Sequence, residues 1–149
     1  MRFVTSPRLI ITVFGLAAAI ALGCGGGSDG GTTGSQNADV TGTWDVTIAV
    51  TGGTQAPPGS QFTAVFTLAQ SGSTVTGTFS TAGGLSGQIS GSVSGQAFAF
   101  AILQGTPCLG SFSGTATVSG SGTQISGSYF GSDCNGTLQV SAVATNRND

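Results

Sequence analysis

The chain has 149 residues, a formal net charge of −2 and only 5% charged side chains, with no Lys, Glu or His at any position. Without a basic patch there is no electrostatic footprint for a phosphate backbone, which excludes nucleic acid as a partner. The missing His, Glu and Lys remove the usual general acids and bases and leave no partner to activate a serine, so no enzyme activity, catalytic residue, cofactor or zinc is expected.

Taken in chain order, residues 1–23 read as a signal segment. Arg2 and Arg8 make a positive start, and Leu9 to Leu22 follow without a charge. That run is too short for a spanning helix, which needs about 20 apolar residues. It closes on Ala21-Leu22-Gly23-Cys24, which resembles the lipobox of bacterial lipoproteins. The resemblance implies that the Cys24 thiol takes a diacylglyceryl group, that cleavage leaves Cys24 as the N-terminus, and that palmitate-type acylation holds the protein to a membrane of the cell envelope. Gly25 and Gly26 follow in place of Asp, which by the sorting pattern of that family implies the outer membrane. Residues 24–39 then form the lipidated cysteine and a Gly/Ser/Thr-rich segment almost free of large apolar side chains, which reads as a flexible tether.

From Val40 to Thr145 the pattern has period two. In the first stretch Val40, Gly42, Trp44, Val46, Ile48 and Val50 share one face, while Thr41, Thr43, Asp45 and Thr47 share the other. Such alternation specifies half-buried strands and no helix. Strands are expected near 40–50, 61–70, 73–80, 85–93, 96–103, 110–119, 123–130 and 136–145, separated by turn residues such as Ser71-Gly72, Ser94-Gly95 and Gly120-Ser121-Gly122. Residues 146–149 remain as a short tail. Eight strands in a meander close into an antiparallel up-and-down barrel, with a β-sandwich as the alternative. Closure removes the open edges that a Ser/Thr-rich sheet without lysines would expose. A single Trp and a single Tyr cannot supply the aromatic girdles of a membrane barrel, so the apolar face is expected inside.

A phrase of apolar, Ser/Thr, Gly, Ser/Thr recurs without fixed period and places Gly42, Gly77, Gly91, Gly114 and Gly127 on the apolar face. Inward glycines either let strands bend and approach closely or leave a cavity, and bending is the expectation.

With Cys24 assigned to lipid, Cys108 and Cys134 remain as an even pair in an oxidising compartment and read as one disulfide. In a meander barrel the connections at 51–60, 81–84, 104–109 and 131–135 share one end, so both cysteines lie on one rim. The tether lies at the other end, and any ligand or partner is expected at the stapled rim. Asp45 and Asp133 read as a solvated strand residue and a turn residue, and a calcium site at Gly131–Asn135 has too few carboxylates, so no metal is expected.

Gly42-Thr43-Trp44 resembles the Gly-x-Trp signature of calycins, the lipocalin and avidin-like barrels. The resemblance implies that Trp44 packs across the barrel base near a basic residue after the last strand, here Arg147, by a cation–π contact. It also implies a small apolar ligand inside the barrel, for which Trp44, Phe98, Phe100 and Tyr129 are the candidate ligand-binding residues. Two functions follow: a non-enzymatic envelope interaction or structural module with a protein partner, or a calycin-like carrier. A cavity of about 300 Å³ or more favours the carrier. Cys24→Ser is expected to abolish incorporation of labelled palmitate and leave the precursor uncleaved; labelling of the serine variant at the parent level would rule out this anchor.

Overall fold

The alternation of the sequence becomes the inside and outside of a closed sheet. The computed structural model describes residues 36–147. The segment read as a signal, Cys24 and most of the segment read as a tether lie outside the described residues. The strands are β1 (Gly42–Gly53), β2 (Gln61–Ser71), β3 (Thr74–Thr81), β4 (Ser86–Ser94), β5 (Ala97–Thr106), β6 (Gly110–Val118), β7 (Gln124–Asp133) and β8 (Gly136–Asn146). Each pairs antiparallel with the next, and β8 returns to β1 through Val46 opposite Ala144 and Ile48 opposite Ala142. The β-sandwich alternative is therefore excluded, and the fold is consistent with a calycin-like barrel. In β1 Trp44, Val46, Ile48 and Val50 are buried while Asp45 and Thr47 are exposed. The same division runs through the other strands and gathers one apolar core inside the barrel. Full burial of each large apolar side chain contributes roughly 1.5–3 kcal/mol.

The inward glycines serve close approach of strands. Gly114 on β6 lies between Phe100 of β5 and Tyr129 of β7. A Cβ there would collide with the Ser128 carbonyl oxygen and come within 2.5 Å of the Tyr129 Cβ. At Gly91 it would collide with the Ala99 carbonyl and lie 2.8 Å from the Phe98 ring. Rings occupy the space that these glycines leave: the Phe98 and Phe100 centroids are 5.1 Å apart, and Tyr129 stands edge-on to Phe100 at 6.2 Å. Pairing an inward glycine with a neighbouring ring is how a sheet bends sharply without opening a gap.

The two ends of the barrel differ. At the end where the chain enters, residues 37–40 cross the opening. Ala38 N donates to the Gly95 carbonyl at 2.7 Å, and Gly95 N donates to Asn37 Oδ1 at 2.9 Å. Val40 N donates to Gln70 Oε1 at 2.9 Å, and the Trp44 indole N–H donates to the Val40 carbonyl at 2.9 Å. Asn37 and Ala38, at the close of the segment read as tether, are thus bonded to the barrel. Val40, Trp44, Val75 and Val118 are all 0% exposed, so this end is a solid base.

At the other end β1 and β7 run further than the sequence suggests. A register shift between Val50 and Gly52 lets β1 continue to pair with β8 as far as Gly53 opposite Leu138. Gly131, which reads as a turn residue, instead pairs with Phe112 and Leu138 inside the sheet. Asp133 is therefore the last residue of β7, and the turn shrinks to Cys134 and Asn135. Gly114→Val is expected to destabilise the barrel by about 1–3 kcal/mol through overpacking, whereas the outward Thr115→Val changes stability by less than about 0.5 kcal/mol. Urea denaturation of the two variants measures the difference.

Candidate functional site

The half of the barrel away from the base is hollow. A cavity of about 450 Å³ opens at the rim formed by the β1–β2, β3–β4, β5–β6 and β7–β8 connections. Its wall is mostly apolar, with Ile48, Phe62, Phe79, Ile102, Phe112 and Leu138 facing in. Ala64 and Ala56 provide small surfaces where larger side chains would fill the space. Phe66 and Tyr129 line both this cavity and a void of only about 30 Å³ below it, and so separate the two.

The candidate ligand-binding residues divide accordingly. Trp44, Phe98 and Phe100 line the small lower void, which has no room for an organic ligand, and only Tyr129 reaches the open cavity. Burial pushes the Tyr129 phenol above its ordinary range, so it stays a neutral hydroxyl. Arg147 makes no cation–π contact with Trp44. Trp44 is inside the barrel, whereas Arg147 lies outside and pairs with Asp45 through both guanidinium Nε, at 3.1 Å, and Nη2. That hydrogen-bonded pair holds the Asp45 carboxyl below the usual range and raises Arg147.

Polar groups collect at the cavity mouth. The Gln104 side chain is 95% buried, the one buried polar residue among those described, and it continues the inward row of Phe98, Phe100 and Ile102 on β5. Its Nε2 donates to the Cys108 carbonyl and to Asp133 Oδ2, both at 3.0 Å. Gln55 is held from the facing loop because Thr54 N and Gln55 N both donate to the Thr137 carbonyl, at 2.9 and 3.0 Å. Its Nε2 also donates to Asp133 Oδ2, at 3.0 Å, and its buried Oε1 has no hydrogen-bond partner. Asp133 Oδ1 accepts from Asn135 N at 2.8 Å, which closes the β7–β8 turn. The Cys108–Cys134 disulfide, with Cα atoms 5.9 Å apart, ties the β5–β6 connection to that turn. The ligand atoms of Cys108, Asp133 and Cys134 lie within 4.8 Å of one another, but the disulfide consumes both sulfurs and leaves one carboxylate, which is no metal site.

A second concavity, of about 550 Å³, is a shallow groove on the outer wall over Ala99, Ala101 and Phe130. It cannot enclose a small ligand as the interior cavity does.

No protein-family model, no curated protein and no solved structure matches the chain.

Gln55, Gln104 and Asp133 are the site residues that the candidate set lacks. Gln104 leaves a signal, since it is a polar residue at the fourth inward position of an otherwise apolar row. Gln55 leaves none, because its position depends on a loop hydrogen-bonded to β8. Removing the disulfide by Cys108→Ser with Cys134→Ser is expected to cost about 2–4 kcal/mol of stability, read as a lower urea midpoint. An unchanged midpoint would show that the staple contributes nothing to the rim.

Proposed function

We propose that the domain is a non-enzymatic carrier that holds a small, mainly apolar molecule in the open half of the barrel. The observation that supports this most is the cavity of about 450 Å³, enclosed by apolar side chains and open at one rim. Binding sites for small molecules are concave, largely preformed and mostly apolar with a few placed polar groups, and they range over about 300–1,000 Å³. The solid base makes the cavity blind, so a ligand enters and leaves by the stapled rim.

With Cys24 lipidated as its flanking residues suggest, the protein hangs from the outer membrane of the cell envelope by its N-terminus. The described chain enters at the base, so the mouth then faces away from the bilayer. A second reading, an envelope interaction module, draws on apolar residues outside the barrel, Leu103 at 57% exposed, Leu109 at 80% and Phe130 at 64%.

The two readings separate on ligand binding. Phenylnaphthylamine, an apolar dye that brightens out of water, is expected to bind the purified protein at one site. Ala64→Phe, which fills the cavity from β2, is expected to weaken that binding by about tenfold or more, equivalent to about 1.4 kcal/mol, with no loss of stability. Equal dye binding by the two proteins would remove the carrier reading.

A further inference from the structure

We infer that the ligand carries a hydrogen-bond donor at its head, as in a long-chain alcohol, amide or amine, and does not carry a carboxylate or phosphate. The inference rests on the carrier reading above.

The mouth of the cavity offers acceptors. Gln55 Oε1 is buried without a partner, and its amide cannot turn over, because turning would set that oxygen against Asp133 Oδ2 in place of the N–H that now donates to it. Both N–H groups of the Gln104 amide are taken, by the Cys108 carbonyl and by Asp133, so its remaining polar atom is also an oxygen. Each amide thus gives one N–H to the same carboxylate, Gln104 gives its second to Cys108, and the Gln55 oxygen is left without a donor. A buried acceptor without a donor is costly, and a ligand donor removes that cost.

Charge acts in the same direction. Asp133 is held 3.0 Å from each amide nitrogen. The other charged groups among the described residues, Asp39, Asp45 and Arg147, lie at the base end, and Arg147 is already paired with Asp45. An anionic head in the mouth therefore meets a fixed negative charge, two carbonyl-type oxygens and no cation. Burying an unpaired anion there is far more costly than burying a neutral donor, while a cationic donor gains from Asp133.

Displacement of bound phenylnaphthylamine by decanol, decylamine, decanoate and decane at neutral pH tests this. Decanol and decylamine are expected to displace the dye at concentrations about tenfold or more below decanoate, and decanol below decane. Gln55→Leu is expected to bring decanol to the level of decane, each read against the dye affinity measured for that variant. Decanoate that competes as well as decanol, or decanol no better than decane in the parent protein, overturns the donor head and leaves the carrier reading standing. Failure of the dye and all four compounds to bind overturns the carrier reading and the inference with it.

Discussion

The barrel depends on strand backbones meeting where a side chain has no room. At Gly77, Gly87, Gly91, Gly114, Gly127 and Gly131 an added Cβ would run into a carbonyl oxygen of the adjacent strand. These positions all lie on the inward face, spread over β3, β4, β6 and β7. They allow the sheet to coil tightly enough to close, and closure in turn satisfies every strand without an edge. Rings then settle against the glycines. Around Gly91 and Gly114 the rings of Phe98, Phe100 and Tyr129 fill the lower interior. Nearer the rim, Phe79 opposite Gly87 and Phe112 opposite Gly131 become cavity wall, with no second layer above them. Close approach therefore produces both the solid base and the hollow mouth.

Strand number, order and closure were legible because period-two alternation is a local signal and meander connections are short. The disulfide was legible because setting Cys24 aside leaves Cys108 and Cys134 as an even pair, and the strand count independently puts both on one rim. Three misreadings share one cause, that they depend on contacts made only after the sheet closes. Gly131 resembled a turn breaker, yet it is an inward approach point between Phe112 and Leu138. Extending β7 through it changed Asp133 from a turn residue into the acceptor for two amides. Arg147 was assigned to Trp44 by resemblance, but strand alternation places Asp45, next to Trp44, outside the barrel, where the guanidinium reaches it. The aromatic candidates for binding were right about the inward face and silent about height along the barrel axis, which decides whether a ring packs or lines.

The division of ends follows from connectivity. An even number of meander strands returns the chain to the end where it entered, so residues 37–40 and the end of β8 meet at the base. Gln70, at the end of β2, receives the Val40 amide, and the Trp44 indole takes the Val40 carbonyl, so one short segment is pinned by its donor and its acceptor alike. Sealing the base in this way leaves the four opposite connections free to differ in length and content. The long β1–β2 loop carries Gln55, the β5–β6 connection carries Cys108, and the β7–β8 turn carries Cys134. Polar chemistry at the mouth is thus supplied jointly by the β1–β2 loop, through Gln55, and by the rim ends of β5 and β7, through Gln104 and Asp133.

The near absence of charge gives one carboxylate unusual weight. On most proteins an acidic group near a pocket competes with many neighbours, and its field is diluted by them. Here the outer wall is Ser and Thr, hydrogen-bonding but uncharged, and the only fixed charge at the mouth end among the described residues is Asp133. Asp133 is also half-buried, with Oδ2 turned toward the buried Gln104 amide and the half-buried Gln55 amide, where screening by salt is weaker than at an exposed site. Its effect is transmitted as orientation: it draws the donors of Gln55 and Gln104 toward itself and so turns their oxygens away. An anion fixed behind two amides decides which way each amide faces, and that orientation, rather than any direct contact with Asp133, is what biases the mouth toward accepting a hydrogen bond.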